Sequence, residues 1–177
     1  MAMTAAMPTV LAGAVLNDIG PSLEAAGLGR IRRYLATLRP APDWPSAARQ
    51  LAQAIPDWPA TNDAEWLAVA QATFRQHADG LLRPDWDTAI AKPFAKPAGP
   101  APPDLWALFR GFRDLPLLAV RGERSDLLSA VTLEHMRSVA PHLVTVTVPG
   151  VGHAPALKQP EERAAIDALL AMVERRL

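Results

Sequence analysis

Two loops in the C-terminal third of the sequence carry residues suited to acid–base chemistry. The segment Arg121-Gly122-Glu123-Arg124-Ser125-Asp126 follows the apolar run at 115–120 (LPLLAV). The segment Pro149-Gly150-Val151-Gly152-His153-Ala154-Pro155 follows the run at 143–148 (LVTVTV). In parallel sheets, reactive side chains gather in the loops at the carboxyl ends of strands. If the two runs are neighbouring strands, their axes lie roughly 4.8 Å apart, and both loops fold over one edge of the sheet. Asp126 is then in reach of the His153 imidazole, fixing its tautomer while His153 acts as general base. Each residue also has a plainer reading. Asp126 is of a type that caps helices, and His153 taken alone is a turn histidine. Glu123 is a rival acid, closer to its strand end. His77, His135 and His142 lack such a setting and read as surface or packing residues.

The positioning elements follow from periodicity. The run LPLLAV is almost continuously apolar, as a parallel strand covered on both faces is. LVTVTV alternates, as a partly exposed strand near a sheet edge does. A third apolar run, 9–17 (TVLAGAVLN), ends at Asp18, Gly20 and Pro21 and reads as a buried strand followed by a turn. Between the first and second of these strands in chain order the pattern is helical. Leu28, Ile31, Leu35 and Leu38 recur at helical spacing, a second short helix covers 46–55, and a third runs from Asn62 and Asp63 to His77 before Gly80. Residues 92–103 (KPFAKPAGPAPP) form a Pro-rich linker. A short helix follows at 104–112 and another at 131–139. A final helix opens at Pro160, with Glu161 and Glu162 at its positive end, Arg175 and Arg176 at its negative end, and Ile166, Leu169, Val173 and Leu177 as its buried stripe. The order predicts an α/β fold with a short parallel sheet, three strands visible, and an inserted helical block. It divides the chain into a core strand with a flanking helix tail (1–21), a helical cap with its linker (22–103), and a C-terminal core half (104–177).

These segments carry a family resemblance. GERSDLLS followed by VPGVGHAP resembles the end of α/β-hydrolase-fold enzymes, which place an acid after the penultimate strand and a histidine after the last. VLNDIGP at 15–21 resembles that family's strand exit into a helical cap, and GLGRIRRYL at 27–35 resembles its first cap helix. The resemblance implies a partial α/β-hydrolase fold in which Asp126 and His153 are the acid and base of a catalytic triad. It implies no metal and no organic cofactor. Asp18 is a further candidate, because some hydrolases of this fold carry an acid after that strand; with Asp126 present, Asp18 is expected to cap the turn or support the site. The family's nucleophile sits in a G-x-S-x-G turn, and the sequence contains none. Gly20-Pro21-Ser22-Leu23-Glu24 comes nearest, but Glu24 replaces the last glycine, Pro21 fixes φ before the serine, and the resemblance assigns Ser22 to the cap entrance. The nucleophile, and with it the oxyanion hole, is therefore expected before residue 1, with residues 1–7 as the tail of the following helix and the chain inactive by itself.

Composition narrows the partners. The chain has 177 residues, 50% hydrophobic and 20% charged, the balance of a globular domain. Lys+Arg and Asp+Glu both number 18, so no excess charge favours nucleic acid or an anionic membrane. There is no cysteine, which excludes disulfides, thiolate metal sites and a cysteine nucleophile and is compatible with a reducing cytoplasm. Residues 1–16 are largely apolar and Ala12-Gly13-Ala14 has the small-x-small look of a cleavage site. No Lys or Arg precedes that run, however, so a signal peptide is not expected. Trp44, Trp58, Trp66 and Trp86 fall in the helical block, as packing anchors or as the lining of an apolar pocket. The reading is a serine-type hydrolase of a small ester, lactone or related carbonyl substrate. The alternative is a non-catalytic module that associates, with itself or another chain, through an open strand edge.

Overall fold

A computed structural model describes residues 1–91 and 104–176 of the chain. The expected linker at 92–103, and Leu177 of the expected helical stripe, lie outside the described residues. The chain forms two compact units, one made of Met1–Gly27 and Ala101–Leu177, the other of Leu28–Pro100.

The first unit is built on a parallel sheet in the order β1-β4-β5, with β1 at Ala14–Asn17, β4 at Leu117–Gly122 and β5 at Val144–Val148. The central strand is buried at every residue, in keeping with the unbroken apolar run. Its side chains alternate between two cores, because successive residues of a strand face opposite ways. Leu117 and Ala119 join Leu16, Phe109, Phe112, Leu128, Leu133 and Met136 on one face. Leu118 and Val120 join Val148, Val151 and Leu169 on the other. Strand β5 is only partly covered, as its alternation predicts.

The helices of this unit are short α1 (Ala2–Ala6), α5 (Leu105–Phe109), α6 (Ala130–Val139) and α7 (Pro160–Glu174), with α2 (Ala25–Thr37) leading out of it. Strand β1 is shorter than the apolar run that contains it. Pro8 opens a 3-10 turn over Pro8–Val10, since its ring pre-sets φ for a turn and removes a ladder donor. Helix α7 is entered through a capping arrangement in which the backbone N–H of Gln159 donates to Glu162 at 2.7 Å and that of Leu157 donates at 3.2 Å. Glu162 is 1% exposed. Its charge is thus held by N–H donors at the positive end of the helix.

The second unit contains most of α2, then α3 (Trp44–Ala54), α4 (Asp63–Thr73) and an antiparallel hairpin of β2 (Phe74–Gln76) and β3 (Leu82–Pro84). Asp43 caps α3 by accepting from the Ser46 N–H, and Asn62 caps α4 by accepting from the Glu65 N–H. The third helix stops at Thr73 instead of His77. Beyond it, the chain turns at Gly80 (φ 82°), and Asp79 takes two hydrogen bonds from Arg83 at 2.9 and 2.6 Å. Those bonds, with one from the Leu81 N–H, hold the Asp79 carboxyl far below the usual range. Trp44, Trp66, Trp86 and Tyr34 pack against a core of Leu38, Ala41, Ala47, Leu51, Phe74 and Leu82. Burial raises the Tyr34 hydroxyl above its ordinary pKa.

Glu162→Ala removes the acceptor of two N–H groups at a nearly inaccessible position. It is expected to lower unfolding free energy by about 1–3 kcal/mol, read as a lower urea midpoint at constant m-value, with Glu162→Gln losing less.

Candidate active site

The carboxyl edge of the β1-β4-β5 sheet gathers the polar groups of the first unit. Asp18 follows the last residue of β1 directly, and its backbone N–H donates to Val120 O at 2.7 Å. It adopts a left-handed conformation with φ 54°, one of the few non-glycine types that does so readily. That twist accompanies a side chain fully enclosed at 0% exposure. Oδ1 accepts the Gly122 N–H at 2.9 Å. Oδ2 lies 2.6 Å from the Ser125 hydroxyl, which donates to it, and 2.8 Å from His153 Nδ1. Three donors therefore surround the carboxylate, and a buried charge needs such partners to be tolerated.

His153 was expected to pair with Asp126, and this is corrected: the carboxylate at its Nδ1 is that of Asp18. The reason lies in the lengths of the two loops. β4 extends to Gly122, so the chain after it turns first at Ser125, whose N–H donates to Gly122 O at 2.9 Å. That turn brings Ser125, not Asp126, against the Asp18 carboxylate. Asp126 is part-buried, and its carbonyl accepts the Gly27 N–H at 3.0 Å while Leu127 O accepts that of Glu24 at 2.9 Å. These bonds tie the segment leaving β1 to the loop leaving β4. Gly27 is required there, since a Cβ would stand 2.6 Å from Asp126 O. Nor does Asp126 cap the next helix; Ser129 does, accepting from the Thr132 N–H.

The loop after β5 is fixed from β4. Glu123 accepts the Gly150 N–H at 2.7 Å, so the rival acid serves as a loop staple. Arg124 donates through its guanidinium to Gly150 O and through its backbone N–H to Val151 O. Asn17 adds an amide hydrogen bond to Pro155 O at 3.0 Å, leaving its Oδ1 buried and unbonded. The imidazole of His153 remains 21% exposed. With Nδ1 turned to a carboxylate, the Nδ1–H tautomer is favoured and Nε2 is free to take a proton.

The other candidates sit elsewhere. Ser22 is exposed, and its hydroxyl accepts the Trp106 indole N–H at 2.9 Å. His135 stacks on Trp106 with ring centroids 4.1 Å apart, and His142 Nε2 lies 3.1 Å from Phe112 O. His77 belongs to the hairpin turn. Among the described residues, no cluster of three His, Asp or Glu could hold a metal ion, and no helix is long and apolar enough to cross a membrane. Sequence reasoning weighed Asp18 but assigned it to support. Its signal was position, one residue past a strand that adjoins the strand before Ser125. Ser125 itself was missed as a member of the site.

No protein-family model matches the sequence. The chain is 32% identical over 164 residues to a 3-hydroxybutyrate-oligomer hydrolase of Cupriavidus necator, an overlap of 85% of this chain and 53% of that protein. Among solved structures, an α/β hydrolase from Novosphingobium aromaticivorans is 42% identical, with a TM-score of 0.86 over 96% of this chain and 60% of the other. E-2-(acetamidomethylene)succinate hydrolase is 26% identical, with a TM-score of 0.67 over 97% of this chain and 59% of the other. The chain thus spans about half the length of the curated relative it matches and about 60% of the first of these solved structures. With 42% identity and a TM-score of 0.86 over 96% of its residues, the chain has the α/β-hydrolase fold of these relatives.

Proposed function

We propose that Asp18 and His153 are the acid and base of a serine-type hydrolase site acting on a small ester, lactone or related carbonyl compound. The observation that carries this reading is the 2.8 Å contact between His153 Nδ1 and the wholly enclosed Asp18 carboxylate. In the proposed reaction, His153 Nε2 removes the proton from a serine hydroxyl as it attacks the carbonyl carbon. The imidazolium then passes that proton to the leaving alkoxide, and a water attacks the acyl-enzyme by the same route. Asp18 stays ionised throughout, held by Gly122 N–H and Ser125, and stabilises the imidazolium that forms between the two transfers.

Neither serine already placed is offered as the nucleophile. Ser22 is engaged by Trp106, and the Ser125 proton is committed to Asp18. The serine and its oxyanion donors are proposed to lie on a segment outside these 177 residues, in keeping with the greater length of the relatives. The name of the C. necator relative supports an ester substrate, since oligomers of a hydroxy acid are joined by ester bonds. No cofactor enters the scheme.

Two experiments test it. The purified 177-residue chain is expected to hydrolyse p-nitrophenyl butyrate no faster than its His153→Ala variant; stoichiometric acylation of Ser22, seen by mass spectrometry, would overturn this. In a longer protein that joins a G-x-S-x-G segment in frame before residue 1, esterase activity should appear. There, His153→Ala and Asp18→Asn should each lower kcat by on the order of 10³ to 10⁴, and Asp126→Asn by less than about tenfold. The reverse order for the two aspartates would return the role of acid to Asp126.

A further inference from the structure

The Ser125 hydroxyl has one proton to give and two lone pairs with which to accept. Both accepting directions are engaged, by the Leu127 N–H at 3.2 Å and the Leu128 N–H at 3.0 Å. Its proton is consequently directed at Asp18 Oδ2, 2.6 Å away, the same oxygen that faces His153 Nδ1. Oδ1 is occupied separately by the Gly122 N–H. One N–H on Oδ1 fixes the carboxylate at one corner and leaves it free to rotate about that contact. A hydroxyl on Oδ2 removes this freedom and leaves a single lone-pair direction open toward the imidazole.

The geometry points to Ser125 as the positioning residue of the pair: a hydroxyl locked as donor by two backbone N–H groups, which aims the Asp18 carboxylate at His153. The inference rests on the Asp18–His153 reading above and adds the element that orients it. The same hydroxyl thus both braces the turn, by accepting the Leu127 and Leu128 N–H groups, and donates to Asp18. It also makes the β4 loop, which contributes neither acid nor base, a determinant of which imidazole nitrogen bears the proton.

Nitrogen-15 NMR of the His153 ring in the 177-residue chain provides the test, without need of substrate or nucleophile. At a pH where the ring is neutral, the unmodified chain should show two well-separated ring shifts, those of a single Nδ1–H tautomer. Ser125→Ala should bring the shifts toward the averaged values of two exchanging tautomers, and Ser125→Thr, which keeps the hydroxyl, should restore their separation. Asp18→Ala, which removes the acceptor without supplying a donor, serves as the reference for complete loss. If the unmodified chain already gives averaged shifts, the Asp18–His153 pairing itself is wrong. If its shifts are separated and Ser125→Ala leaves them so, the pairing stands and the role of Ser125 is refuted. Averaging in both the Ala and Thr variants would trace the effect to the turn and not the hydroxyl, and would equally overturn the inference. Dispersion of the backbone amide signals reports folding of each variant, and Ser125→Cys, isosteric but a weaker donor, should fall between Ala and Thr.

Discussion

A carboxylate with no exposed surface is tolerable only where donors replace the water it has lost. Asp18 meets that demand with three donors drawn from three stretches of chain: the end of β4, the turn after it and the loop after β5. The parallel pairing makes this possible. Asn17 is in register with Val120, and Gly122 with Val148, so the three strands finish along one edge within reach of a single side chain. Displacing any strand by a residue would strip the carboxylate of a donor and turn the apolar residues of β4 toward the opposite core. The polar site and the two-faced core therefore impose the same register.

The placement of His153 depends on β4 more than on its own strand. Gly122 has no side chain, and a Cβ there would collide with the carbonyls of Val151 and Gly152. The β5 loop passes across the end of β4 because that space is empty. Glu123 and Arg124 then grip the turn at Gly150, whose φ of 68° suits glycine. The imidazole is thus carried on one loop and located by another. Such bracing restrains a side chain that a loop by itself would hold loosely, since loops are the more mobile parts of a fold.

Much of this was legible in the sequence where a single physical pressure acts. Burial on both faces makes LPLLAV apolar throughout, and an edge position makes LVTVTV alternate; both became the strands they resemble. Pro160 and Glu162 announced α7 because helix ends leave N–H groups that need acceptors. Competing pressures hid the rest. The stretch 63–77 keeps a helical look, yet the chain leaves the helix at Thr73 because Phe74 is buried against Leu82 and the other residues of the second unit's core. The run 9–17 is apolar enough for one long strand, but a proline near its start turns the backbone before pairing begins at Ala14.

The carboxylate that meets His153 was hidden for a related reason. Counted along the sequence, Asp126 and His153 stand at similar distances past their strands, and symmetry favoured that pair. Distance along the chain does not measure distance across a sheet edge, because a tight turn after β4 uses up Ser125 before Asp126 is reached. Asp18 needs no turn; it enters the edge as the next residue after β1, and its left-handed backbone directs the carboxylate inward. The sequence segments Asn17-Asp18 and Ser125-Asp126 each offer a polar residue beside a carboxylate, and nothing in composition ranks them. What ranks them is enclosure. The carboxylate that the sheet covers completely is the one that recruits a serine hydroxyl, a backbone N–H and an imidazole, while Asp126 is only part-buried and lends its carbonyl to Gly27. Which carboxylate faces His153 is therefore decided by where water is excluded, a property of the assembled sheet and not of either loop.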